Sequence, residues 1–255
     1  MVCRLCKKEV QLIRQSHIIP KFMYKGIYEK SKKLVEVNLW KTHEPKFRPT
    51  PTYDEYILCK KCDNEVLGRL ETYAADVFFE RTDLDFERVS EGGVTSLIVK
   101  NVDYKKFKLF LLSILWRASI SKQELFKEID LGRKHEETIR AMIYENNPGE
   151  ADEFPVCVFG IRSRENLMLR TVVQPRRLKY ELNTSYMFFI NGLFYYFNVS
   201  QFGMQDMFRR LPIDRNNQMT LGIFEDSLGG PEFFDMFLGR KIRLRHSVFD
   251  HQRKA

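Results

Sequence analysis

Apolar side chains at Val66, Leu67, Leu70, Tyr73, Ala74, Val77 and Phe78 recur at intervals of three and four. That period predicts a helix of about four turns opening at Cys62. Residues 105–119 are apolar on nearly every side after their first turn, the mark of a helix buried all round. Two shorter helices are expected at 123–129 and 134–144, the second stopped by Asn146-Asn147-Pro148-Gly149. Strand-like stretches fall at 11–19, ending at Pro20, and at 34–40, 94–99, 156–161, 167–173, 186–199 and 219–224. Between them, 21–33 reads as a short helix, and 42–52 as a loop broken by Pro45, Pro49 and Pro51. A last short helix is expected at 232–238, and 240–245 alternate basic with apolar residues.

Asn191-Gly192, set between 187–190 and 193–197, predicts a hairpin closed by a type I′ turn. Its Phe- and Tyr-rich arms carry no basic residue, so they read as core and not as a base-stacking sheet. The polar run 81–93, ending in Glu91-Gly92-Gly93, suggests a boundary. The expected fold is α+β, with an N-terminal module at 1–85 and a mixed helix-plus-antiparallel-sheet domain at 93–255.

With 255 residues, 44% of them apolar, the chain can bury a full core. Its longest apolar run, 109–116, is too short to span a bilayer, and no secretory leader is recognisable. The expectation is a cytoplasmic protein without membrane contact. Charge is distributed unevenly. Residues 1–62 hold 14 Lys and Arg against 6 Asp and Glu, a net +8, whereas the remaining 193 residues hold 28 of each. Lysines such as Lys21, Lys25, Lys32 and Lys33 alternate with Phe22, Tyr24 and Tyr28, a combination suited to a phosphate backbone.

Four of the five cysteines form two C-x2-C pairs, Cys3 with Cys6 and Cys59 with Cys62. Two such pairs can close a tetrahedral thiolate site for zinc, or form two disulfides in an oxidising compartment; the lack of a leader favours zinc. A four-cysteine zinc has no open position, so its role is structural. Cys157, in an apolar stretch, reads as core. Between the pairs stands His17, whose imidazole can accept a proton near neutral pH. Asp63 and Glu71 lie within about 100° of one another on the helix after Cys62 and offer hard oxygen ligands for Mg²⁺ or another divalent cation.

The Cys pairs, the Ser16-His17-Ile18-Ile19-Pro20 segment, the basic insert, and Asp63 and Glu71 on the following helix resemble an HNH (His-Me finger) branch common in bacterial defence and mobile-element gene sets. Leu112-Ser113-Ile114-Leu115-Trp116-Arg117 is similar to the branch's Ser-x-x-Trp-Arg helix, so the resemblance covers about the first 120 residues. It implies a treble-clef (ββα-metal-like) zinc module and a general-base role for His17. Three positions depart from the wider family: Ser16 where a metal ligand is common, Asp63 where His or Asn is common, and Asp54 roughly where the middle Asn falls. The metal site is then altered or moved, with Asp63 and Glu71 as its carriers. The function implied is metal-dependent hydrolysis of phosphodiester bonds, in DNA by analogy, as the effector of a prokaryotic defence system. Two alternatives stand beside it: a zinc module that binds nucleic acid without cleaving it, and a scaffold whose C-terminal domain binds a protein.

Overall fold

The computed structural model describes residues 1–25, 27, 34–37, 46–48, 52–91, 94–162, 172–180, 183–200 and 216–225. Lys32, Lys33 and the elements expected at 232–238 and 240–245 lie outside them. The chain is a mixed α+β protein with a mostly antiparallel sheet and a four-cysteine cluster near its N-terminus.

The N-terminal strand is shorter than expected. Its ladder part is β1 (Ser16–His17), antiparallel to β4 (Tyr53–Asp54), with Ser16 opposite Asp54 and His17 opposite Tyr53. Upstream, pairing survives as a Leu12–Cys59 bridge and two backbone hydrogen bonds at Ile13. The facing segment turns at Tyr56, whose φ of 55° takes it out of the extended region, so no continuous ladder can form. Beyond Pro20 the expected helix begins as a 3-10 turn, Lys21–Tyr24, and its residues 26 and 28–33 lie outside the described ones. Phe22 decides that turn's position by packing on Phe110 and Phe78, with ring centroids 5.6 and 6.2 Å away.

The expected loop at 42–52 contains β3 (Lys46–Arg48), paired with β2 (Leu34–Val37). The polar run at 81–93 is likewise a strand, β5 (Asp85–Glu91), antiparallel to β6 (Val94–Lys100). It reads as a linker because its side chains from Asp85 to Ser90 are exposed, the charged character of a sheet edge.

Helix α1 (Gly68–Phe79) follows seven residues wound in wide π turns, Lys61–Leu67. Helix α2 (Tyr104–Ile120) is capped by Asp103, whose side chain accepts from the Lys106 amide at 3.0 Å. Between it and α3 (Gly132–Tyr144), the helix expected at 123–129 is one 3-10 turn, Glu124–Phe126. Every residue of α2 from Phe107 to Ala118 is buried. It packs against α1, α3 and the first strand of the C-terminal half, β7 (Val156–Arg162).

The rest of the sheet is β8 (Val172–Tyr180), β9 (Asn183–Ile190), β10 (Leu193–Asn198) and β11 (Met219–Glu225). Nine described strands run in the order β3-β2-β8-β9-β10-β7-β11-β6-β5, with parallel pairs only at β2–β8 and β7–β11. Pro175 falls in the β8 bulge between Val173 and Arg176, where its missing N–H breaks no ladder bond. Asn191 and Gly192 adopt φ of 51° and 87°, the type I′ turn, and the hairpin arms are buried from Met187 to Ile190 and from Phe194 to Phe197. One hydrophobic cluster reaches from Cys3 to Met219, so segments 1–85 and 93–255 share a core. Among the described residues no helix is long and apolar enough to cross a membrane.

Candidate functional site

Cys3 and Cys6 lie on a tight turn. Lys7 donates its amide to Cys3 O at 2.9 Å, Cys3 donates to Lys8 O at 2.9 Å, and Lys7 takes φ 59° to close the loop. Cys59 and Cys62 stand where the π turns begin, and Asp63 N–H donates to Cys59 O at 3.0 Å. The four sulfurs lie within 4.8 Å of one another, and none of the chain's cysteines is disulfide-bonded. This set could hold a metal ion such as zinc. The Cys59 amide donates to Cys3 Sγ at 3.3 Å. The Cys62 thiol and backbone amides donating to Cys3 hold that thiol down at about 4, against the opposing effect of burial. Donation to Cys3 and burial push Cys62 well up, and burial pushes up Cys6. A divalent cation would stabilise all four sulfurs as thiolates.

His17 is fixed on both sides. Ile18 and Ile19 are fully buried, and the imidazole meets the Tyr53 ring edge-on at 6.3 Å. Burial first, then the charges of Lys21 and Arg117, lower its pKa from 6.5 to about 4, so the ring is neutral at physiological pH.

Arg117 is the common neighbour of the residues the sequence singles out. It is 1% exposed, and such a guanidinium must be paired. Its Nη1 donates to His17 O at 2.8 Å and to Glu71 Oε1 at 2.7 Å. Its Nε and Nη2 donate to Ser113 O and Ser113 Oγ, each at 3.2 Å. Asp63 is close enough to feel the same cation: burial pushes its carboxyl up and Glu71 adds to the rise, while Arg117 and the Ser16 hydroxyl oppose it. Ser16 Oγ is fully buried and closes no hydrogen bond of ordinary length.

The π turns bear on this geometry. In a pure α-helix Asp63 and Glu71 would differ by about 80° in azimuth. A π turn advances roughly 80° per residue instead of 100°, which brings the two carboxylates to about the same azimuth. Their mutual repulsion, felt at Asp63, agrees with that alignment. His17, Asp63 and Glu71 are gathered around Arg117, but their ligand atoms do not all close to within 4.8 Å; among the described residues the four cysteines form the group that does.

Asp54 pairs with Ser16 across the ladder, yet its carboxylate accepts from Lys122 N at 3.2 Å and Gln123 Nε2 at 3.1 Å. It holds the turn after α2 and is not aimed at His17. Lys21 and Lys25 are exposed beside the histidine strand, Lys25 with its ammonium 4.6 Å from the Phe79 ring centroid. Arg117 enters the sequence reading only as the end of the Ser-x-x-Trp-Arg segment, with no role at the site. Its signal lies in the chain: it is the one cation between Leu109 and Ile120, four positions after a serine. No family model, curated protein or solved structure matches this chain, so the chemistry is read from its own geometry.

Proposed function

We propose that this chain is a metal-dependent nuclease of HNH type, built on a treble-clef zinc module and acting on DNA. The observation that carries the reading is the fastening of the His17 strand to the Asp63–Glu71 helix face at a single point, beside a four-cysteine cluster. The treble-clef assignment draws support from the knuckle at Cys3–Cys6, the Leu12–Cys59 bridge and a second cysteine pair opening a helix. In this reading the neutral His17 imidazole accepts a proton from the attacking water. Asp63 and the Glu71 oxygen not bonded to Arg117 would hold a divalent cation, which supplies charge neutralisation at the phosphate and the leaving oxygen. Lys21 and Lys25 meet the backbone phosphates without reading sequence. The fit of the donor set rests on two carboxylates at one azimuth, with the buried Ser16 hydroxyl acting on Asp63.

The experiment is cleavage of labelled duplex DNA with Mg²⁺ or Mn²⁺ by the wild type and His17→Ala. Cleavage that the variant lacks is expected; equal cleavage by both removes His17 from the chemistry. A second reading is favoured by the Glu71–Arg117 ion pair and by Ser16: a module that kept its grip on nucleic acid and lost its catalytic metal. Salt-sensitive DNA binding with no cleavage under any divalent metal would select it.

A further inference from the structure

We propose that Arg117 is a positioning residue, a buried clamp that sets the height of the His17 strand against the carboxylate-bearing helix, with Ser113 setting Arg117 in turn. Kinetically the proposal rests on the nuclease reading; structurally it stands by itself. A guanidinium is an unfavourable choice for the most buried helix of the protein, and an apolar side chain of similar volume would fill the space as well. What an apolar residue cannot do is join two acceptors on different elements. One nitrogen, Nη1, bonds the main chain of His17 and the side chain of Glu71, while both bonds to Ser113 orient the planar fork. The strand being held is two residues long, and its other described backbone ties are the β4 pairing and the bond from Ile18 N to Thr52 O. So short a ladder leaves the strand's placement relative to α1 to the clamp. Catalysis depends on such placement, since a shift of about 1 Å can cost roughly 10²-fold in rate.

The test uses the full chain with its metal: wild type, Arg117→Lys and Ser113→Ala. Lysine keeps the positive charge but cannot reproduce the planar fork. The expected result for Arg117→Lys is unchanged zinc content, an unchanged KM for duplex DNA and a kcat lower by about 10²-fold. The backbone amide resonances of Ser16 and His17 should shift as well. Ser113→Ala should change both readouts in the same direction by less. Wild-type kcat in Arg117→Lys, with His17 resonances unmoved, overturns the proposal. If the wild type cleaves nothing, the nuclease reading fails, and the resonances alone decide: displaced at Ser16 and His17 they uphold the clamp, unmoved they refute it. If Arg117→Lys does not fold, Ser113→Ala decides by the same two readouts, because it leaves the charge pair in place.

Discussion

His17 has a neutral ring because it is half buried and faces two cations, Lys21 and Arg117. An NMR titration of its ring should give a midpoint near 4, far below the ordinary histidine value of 6.5. The stability consequence has a definite sign. The folded ring binds its proton less readily than the unfolded one, so between pH 6.5 and about 4 the unfolded state holds more protons. The associated stability is complete above 6.5 and is lost as pH falls toward 4. Relative to His17→Gln, the wild type should therefore lose thermal stability across that window, which differential scanning measurements at matched pH can show. Much of this was legible in the chain. His17 is conspicuous between two cysteine pairs, whereas its partner Arg117 lies 100 positions away and is tied to it by a main-chain carbonyl, which carries no side-chain signal.

The elements depend on one another through a few exact contacts. The knuckle around Cys3 touches α3 through Arg140, which donates to Leu5 O at 2.6 Å, and through the ion pairs Arg4–Glu136 and Lys7–Glu137. Metal removal should accordingly loosen more than the knuckle. We expect one zinc per chain by elemental analysis, and faster amide hydrogen exchange in both the knuckle and α3 after chelation or in Cys59→Ser. Unchanged exchange in α3 would separate the two. The β9–β10 hairpin makes a contrasting case of purely local control. Gly192 sits at φ 87°, so Gly192→Ala should destabilise the protein by about 1–2 kcal/mol in urea unfolding. Turn chemistry of that kind is written in two adjacent residues, which is why the hairpin was predictable. The strands β3 and β5 were not: polar, charged edge strands look like loops until a neighbour pairs with them.

On the scale of the whole molecule, the charge of +8 belongs to the first 62 residues, the segment that also holds the cysteine cluster and His17. On the proposed function, DNA affinity should fall steeply with salt, the logarithm of the binding constant decreasing linearly with that of salt concentration. Lys21→Glu and Lys25→Glu should each weaken binding and reduce the slope by about one, measured by fluorescence anisotropy. The expected boundary near 81–93 rested on polarity alone; the sheet runs through it, with β5 and β6 on one side of β11 and β7 on the other.

The sequence by itself determined what depends on neighbours in the chain: the metal-binding spacing of the cysteines, the period of α1 and α2, the Asn-Gly turn and the location of the charge. Tertiary structure decided what depends on distant partners. Whether a polar run is a strand follows from what pairs with it, and whether Glu71 is a free ligand or a counter-ion follows from which helix lies opposite. The physical reason is the same in each case. Local sterics and periodicity act within a few residues, while a buried cation such as Arg117 must find its acceptors wherever the fold brings them.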